Sequence, residues 1–425
     1  MQKNAKIKKV VSIILIPILF IATFIGGYFS RYIFHDKKTN VAIDILTLMD
    51  QVGYVIDSET GQRREITAED IGDALVNGIF DPYSAYFTEE EYQKFLSEGK
   101  GNMSGIGIRM AGDDNEIDGV IFSSPAELAG LMKNDVIVGI SVNDGEKISV
   151  ANKTQFKSVM ETTTVGDVVK LNIIRNFSEL EISVQVKNYK ASYAKYYDSE
   201  KTFGFRENSS GVLEEYTLEQ GLTEIALDND TAYVVYSEFN GGSASQLEKA
   251  LNFMKQRGKT KLILDLRDNT GGYVSELVKV ASMLVYNNGK DKTLVAYVDS
   301  ANKDYGYYTS SNKFNENLTS ISVIANQNSA SASECLIGAM LYYGDRFSQD
   351  KLVIERNLSG VAKTYGKGIM QSTYELITGG ALKITTARIL WPDEQTCIHG
   401  VGIYTSQANS VYSEQALSRA IEVLG

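Results

Sequence analysis

From Thr231 to Ile354 the chain alternates between short apolar runs and longer amphipathic ones, and this order constrains the fold more than any other feature. Thr231 to Ser237, Lys261 to Arg267, Ile321 to Ala325 and Leu352 to Ile354 have the length and composition of buried strands. Ser243 to Arg257, Val274 to Leu284 and Ser333 to Tyr343 have helical length, with Leu247, Ala250, Leu251 and Met254 on one face of the first. Strands alternating with helices predict a sheet covered by helices. The chain has four prolines and no proline-rich linker. Glu200 to Gly221 is polar enough to read as a loop or embellishment.

Upstream the period changes. Gly105-Ile106-Gly107-Ile108-Arg109-Met110 and Gly119-Val-Ile-Phe read as strands, Ser124 to Leu131 as a short helix, and Asn134 to Ile140 as a turn into a strand. Thr154 to Thr162 is amphipathic, and Val168 to Arg175 with Leu180 to Val186 alternate as a hairpin does. Residues 40–98 read as helical. Thr67 opens a segment running to Phe80, Asp81-Pro82-Tyr83 breaks it, and Thr88 caps a short amphipathic helix.

Val10 to Phe29 holds twenty residues without a charge, between four lysines and Arg31. At about 1.5 Å per residue a helix of that length crosses a bilayer core of roughly 30 Å. No clear cleavage site follows, so the run reads as a signal-anchor rather than a cleaved signal peptide. Its basic flank predicts a cytoplasmic N-terminus and a single-pass protein whose body lies outside the cytoplasm. Residues 1–35 carry five basic side chains and no acid, so with a net charge of −11 the rest of the chain stands at −16. An acidic body is a poor partner for nucleic acid.

The chain has two histidines, His35 and His399, and two cysteines, Cys335 and Cys397. That excludes a multi-cysteine or histidine-rich metal centre and leaves little room for a histidine-based triad. No metal and no cofactor is expected. The cysteines either pair in an oxidising compartment or remain free thiols.

Three segments carry chemistry. Asn328-Ser329-Ala330-Ser331-Ala332-Ser333-Glu334 lies between a strand and a helix, where a serine either caps the helix or stands exposed beside its positive end. Asp265-Leu266-Arg267-Asp268-Asn269-Thr270-Gly271-Gly272 ends a buried strand in paired glycines, which bring backbone N–H groups close to a ligand. Thr364-Tyr365-Gly366-Lys367-Gly368-Ile369-Met370-Gln371 sets one lysine between glycines.

Residues 101–187 resemble a PDZ domain of the bacterial protease-associated type, on Gly105-Ile106-Gly107-Ile108 followed by Ser-Pro-Ala-Glu, Ala-Gly-Leu and Asn-Asp-Val-Ile. The three chemical segments, in this order after such a domain, resemble the carboxyl-terminal processing peptidases, or tail-specific proteases, over residues 40–405. The resemblance implies a multidomain α/β and α+β protein: tail and signal-anchor helix in 1–35, a helical region in 36–98, a PDZ domain in 99–187 and an α/β protease core in 188–425. It implies a serine endopeptidase that takes protein C-termini, with Ser331 as nucleophile, Lys367 as general base and Gln371 orienting the lysine. Backbone N–H groups of Ala332 and of Gly271 or Gly272 would form the oxyanion hole, and Gly105, Ile106, Gly107 and Ile108 would receive the tail. It also allows gating by the PDZ domain and a homodimer through the helical region.

Such chemistry needs a neutral lysine. Lowering its pKa from about 10.4 to about 7–8 costs roughly 3–5 kcal/mol, within reach of a dry site. The sequence departs from the family pattern at Asn328, usually glycine, and at Thr270, often proline. Ser331 and Lys367 are 36 positions apart, a long gap that suggests an inserted loop within Tyr342 to Gly360 and leaves Lys363 as a rival base. The Pro-Asp that commonly follows the late Gly-Ile is absent at Tyr404-Thr405. His399 and Trp391 read as structural. The alternative is a membrane-tethered PDZ binding protein that keeps the fold without the activity.

Overall fold

The computed structural model describes residues 66–79, 81–110, 112–208, 210, 212–217, 226–285, 292–299, 304–309, 316–377 and 379–425, with six residues between 39 and 64. The Val10–Phe29 run and the helical stretch expected from Val41 lie outside them, apart from single positions. Among the described residues no helix is long and apolar enough to cross a membrane. The chain divides into two units, residues 1–80 and 81–425.

In the first unit Thr67 and Asp70 cap the helix Ala68–Ile79 reciprocally: the Thr67 N–H donates to Asp70 Oδ2 and the Asp70 N–H to Thr67 Oγ1. This satisfies donors that every helix start leaves open.

The second unit begins with a strand that the sequence reading missed. Ala85–Phe87 pairs antiparallel with Ala381–Leu390, and the helix Glu89–Gly99 follows under a Thr88–Glu91 capping box. Residues 81–98, expected in a helical N-terminal region, therefore build on a sheet formed by the far end of the chain. Three residues are too few for a period to show.

The PDZ segment forms a sheet in the order Ser178–Gln185, Val168–Arg175, Val136–Val142, Ile148–Ser149, with helices Pro125–Leu128 and Lys153–Met160. Ile106, Ile117, Ile137, Ile140, Leu171 and Ile173 are buried at its centre. Alternate residues of the hairpin point inward, as period two requires.

The larger sheet has eight strands, in the order Leu213–Thr217, Thr202–Glu207, Ala194–Tyr197, Thr231–Tyr236, Lys261–Asp265, Ser320–Ala325, Leu352–Glu355, Ser410–Val411. The last five are parallel, with the expected helices as crossovers. One expectation is corrected here. Part of the polar stretch Glu200 to Gly221 forms the two outermost strands at one side of the sheet, because Phe203 and Phe205 are buried on its inner face, Phe203 stacking on Tyr196 and meeting Phe253 and Phe205 edge-on. The strand expected at Leu352 to Ile354 forms as Leu352–Glu355, within the gap between Ser331 and Lys367. A second, antiparallel sheet joins Asp304–Tyr308, Thr293–Asp299, Ala381–Leu390 and Ile369–Glu375, with Ala85–Phe87 beside Ala381–Leu390. The loops after Asp265 and Ala325 leave adjacent parallel strands at their carboxyl ends, where open α/β sheets hold their ligands.

Candidate active site

The loop from Ala325 turns sharply into the helix Ala332–Tyr343 at Ser331. Its backbone sits at φ 54° and ψ −112°, outside the extended region a capping serine adopts. A non-glycine residue holds such a conformation only when its surroundings impose it. The neighbouring serines are occupied. Ser329 Oγ donates to the Leu266 carbonyl at 2.7 Å, and Ser333 Oγ to the Asn269 carbonyl at 2.9 Å. Both are buried, whereas Ser331 is half-exposed at the helix's positive end.

Asn269, fully buried, joins the glycine loop to this turn. Its Nδ2 donates to the Tyr236 carbonyl, its Oδ1 accepts from the Gly271 N–H at 2.9 Å, and its carbonyl accepts from the Ala330 N–H at 3.0 Å. Gly271 is thus already engaged. The Gly272 and Ala332 N–H groups have no acceptor among the described residues and are the pair available to an oxyanion. At Gly271, φ is +102° and a Cβ would lie 2.8 Å from Ser331 Cβ and 2.9 Å from Ala332 N. Gly271→Ala is therefore expected to push the serine turn aside and lower kcat for a tail peptide by about 100-fold or more, the scale of losing one oxyanion donor; steady-state kinetics on the purified variant checks it.

The lysine segment is bound to the serine segment by Glu334, which the sequence reading left without a role. This buried carboxylate accepts from the Ser331 N–H at 2.9 Å, the Lys367 N–H at 2.9 Å, the Gly366 N–H at 2.7 Å and Thr364 Oγ1 at 2.5 Å. Burial pushes its pKa up, while the four donors pull the other way. Its place three residues after Ser331 is the capping-box spacing, the one local signal for it. The glycines beside Lys367 are needed for close packing: a Cβ on Gly366 would meet Gly402 N at 2.8 Å, and one on Gly368 would meet His399 N at 2.7 Å.

Lys367 is half-buried, with Nζ 4.7 Å from the centroid of the Tyr83 ring. Burial and then the Lys383 charge lower its pKa below the ordinary 10.5, opposed by Asp81. Among the described residues no hydrogen bond joins Lys367 Nζ to Ser331 Oγ or to Gln371. The Gln371 amide donates instead to Thr385 Oγ1 at 2.9 Å. The rival Lys363 is turned away, donating to the Val401 carbonyl at 3.2 Å. Cys335 and Cys397 are free thiols, His399 is exposed, and Trp391 packs against Gly338. Asn328, in the family's usual glycine position, donates to Asp268 Oδ1 at 2.8 Å. Beside Ser331 an apolar recess is lined by Leu277, Val295, Tyr307, Cys335, Met370 and Ile389.

In the PDZ segment Gly105 and Gly107 take φ of 120° and 88°. The Ile106 and Gly107 N–H groups have no acceptor among the described residues, while the Ile106 carbonyl accepts from the Ala126 N–H. Successive free N–H groups form a concavity suited to an anion. Ile106 offers only its backbone, since its side chain is in the core.

Residues 230–406 match the family description "Peptidase family S41", and residues 104–186 match "PDZ domain". Residues 230–406 are thus similar to peptidase family S41 and follow a segment similar to a PDZ domain. The chain is 29% identical over 334 residues to a "Probable CtpA-like serine protease" of Staphylococcus haemolyticus, covering 78% of this chain and 58% of that protein. A protein of the same description from Staphylococcus epidermidis is 26% identical over 425 residues, covering 98% and 77%. The chain thus spans 58% and 64% of the length of the first two curated relatives it matches. A putative S41 protease from Bacteroides fragilis shares the fold, at a TM-score of 0.51 and 16% identity over 90% of this chain and 95% of that one. The S41 match takes in the glycine loop, Ser331, Glu334 and Lys367.

Proposed function

We propose that the protein is a membrane-anchored serine endopeptidase that recognises protein C-termini through its PDZ domain and cleaves by acyl transfer from Ser331 to water. The observation that carries this reading is the Glu334 carboxylate, hydrogen-bonded to the backbone of both Ser331 and Lys367. Ser331 Oγ attacks the scissile carbonyl and its proton passes to the neutral Lys367 amine. The oxyanion develops toward the Gly272 and Ala332 N–H groups, and the ammonium then protonates the departing amine. Water deacylates the serine with the same lysine as base. The apolar recess suits a small apolar side chain at the residue whose carbonyl is attacked. Gln371 acts on the lysine through the Thr385 and Asp81 side chains rather than by contact.

The PDZ segment is tied to this site. Lys133 Nζ lies 2.6 Å from Asp268 Oδ2, and Asp268 Oδ1 accepts from Asn326 and Asn328 in the serine loop. Tail binding can shift this linkage. The Val10–Phe29 run holds the protein in the membrane with its body outside the cytoplasm; exposure of the body to added protease on intact cells tests that placement.

The activity is tested by cleavage of a tail-bearing protein by the full chain, with Ser331→Ala beside it. Cleavage by wild type alone supports the reading. If wild type cuts nothing while both bind tails equally, the protein is a binding protein only. Amidating the tail's carboxylate is expected to weaken binding by about 10- to 100-fold, equivalent to about 1.5–3 kcal/mol for a hydrogen-bonded charge; calorimetry with paired peptides measures it.

A further inference from the structure

The turn Asp81-Pro82-Tyr83 reaches the base from the opposite end of the chain. The Tyr83 ring lies beneath Lys367 Nζ, and its hydroxyl donates to the Tyr365 hydroxyl at 3.1 Å, two residues before the lysine. Asp81 Oδ1 accepts from the Tyr83 N–H at 2.9 Å. The Asp81 carboxylate also bonds the Thr385 side chain, which accepts from Gln371. The strand Ala85–Phe87 and the bond from the Thr385 N–H to Ser84 Oγ fix the turn to the same sheet.

We propose that Tyr83 is a positioning residue for the general base: its ring carries the Lys367 ammonium on its face, and its hydroxyl holds Tyr365 and so the lysine segment. This rests on the serine–lysine reading above. An aromatic face attracts a cation but cannot compete for the serine's proton, so it favours the ammonium formed during attack without occupying the amine beforehand. The charged groups acting on Lys367 are Asp81, which favours the ammonium, and Lys383, which opposes it together with burial. Burial first, then Tyr365, pushes the Tyr83 phenol up to about 12, so it stays neutral over the working range.

The test compares the full chain with Tyr83→Phe and Tyr83→Leu on one tail peptide across pH. Tyr83→Leu is expected to lose about 10- to 100-fold in kcat with KM within about twofold, the scale of a misplaced general base. Leucine keeps water out but gives the ammonium no aromatic face. The lysine pKa therefore falls, and the acid limb of kcat/KM moves to lower pH. Tyr83→Phe keeps the ring and is expected to retain at least about a third of kcat. A Tyr83→Leu enzyme with wild-type kcat and an unmoved limb overturns the proposal. So does a loss of kcat with an unmoved limb and a lowered Tm, which is a folding defect.

A second measurement needs no turnover. The pH dependence of Lys367 acetylation, read by peptide mass, shifts to lower pH in Tyr83→Leu if the proposal holds, and an identical profile overturns it. Wild type that cuts no peptide overturns the protease reading, and the acetylation profiles still decide whether Tyr83 governs Lys367.

Discussion

Lys367→Ala is expected to lower tail-peptide cleavage by about 10³- to 10⁴-fold, the upper range for removing a general base. Ser331→Ala is expected to lower it further, to the background set by binding and the oxyanion donors. The double variant should be no worse than Ser331→Ala alone, because in the proposed mechanism the two groups act on one proton and their losses do not add. The pH dependence of wild type has a definite sign. In the proposed mechanism the lysine must be neutral to accept the proton, and burial holds its pKa below 10.5. kcat/KM therefore climbs with pH through an apparent pKa below that value, the reverse of an enzyme that needs its lysine charged. A Lys367→Ala enzyme with wild-type kcat would shift the base to another residue, and Lys363, bonded to the Val401 carbonyl, would have to move to serve.

The second large effect is at Glu334. Glu334→Ala leaves four donors without their acceptor, two of them buried and two part-buried. At about 1–3 kcal/mol for each unmet donor, the loss is several kcal/mol even after water enters the cavity. Thermal unfolding should shift down by on the order of 10 °C, and cleavage should fall at least as far as in Lys367→Ala, because both reacting segments are released. Glu334→Gln is no conservative change. Each carboxylate oxygen accepts two donors, so an amide nitrogen in either place faces two hydrogens with its own. It should lose most of the activity while unfolding nearer to wild type, and a glutamine variant with wild-type kcat would show that the carboxylate is not what holds the site.

Much of this protein is legible along the chain. The Thr67 and Thr88 caps, the PDZ helices and strands, and each strand and helix expected between Thr231 and Ile354 all form, because local periodicity and capping chemistry agree with the tertiary packing there. Legibility stops where pairing is remote. The strand Ala85–Phe87 has no pattern of its own and exists because Ala381–Leu390 offers it an edge. The two outermost strands within Glu200 to Gly221 carry only two inward aromatic residues among polar neighbours, a weak signal beside so much charge. The roles of Glu334, Asn269 and Tyr83 escape a sequence reading because each joins the site to a remote segment, Glu334 and Tyr83 to Lys367 and Asn269 to Ala330.

By itself the sequence determined the chemical species: serine, lysine and paired glycines, with too few histidines for a histidine triad and no excess of cysteine for a metal. It also determined the order of domains and an uncharged run long enough to cross a bilayer. The tertiary structure decided which serine is free and which glycine N–H is open. It turned Lys363 away and set Lys367 over an aromatic ring from the start of the second unit. The physical reason is that hydrogen-bond satisfaction is settled in space. Ser329 and Ser333 are spent on carbonyls some sixty residues away, at separations of 63 and 64, and the Gly271 N–H is spent on Asn269. What remains unspent around Ser331 is set by contacts that no local stretch of the chain encodes.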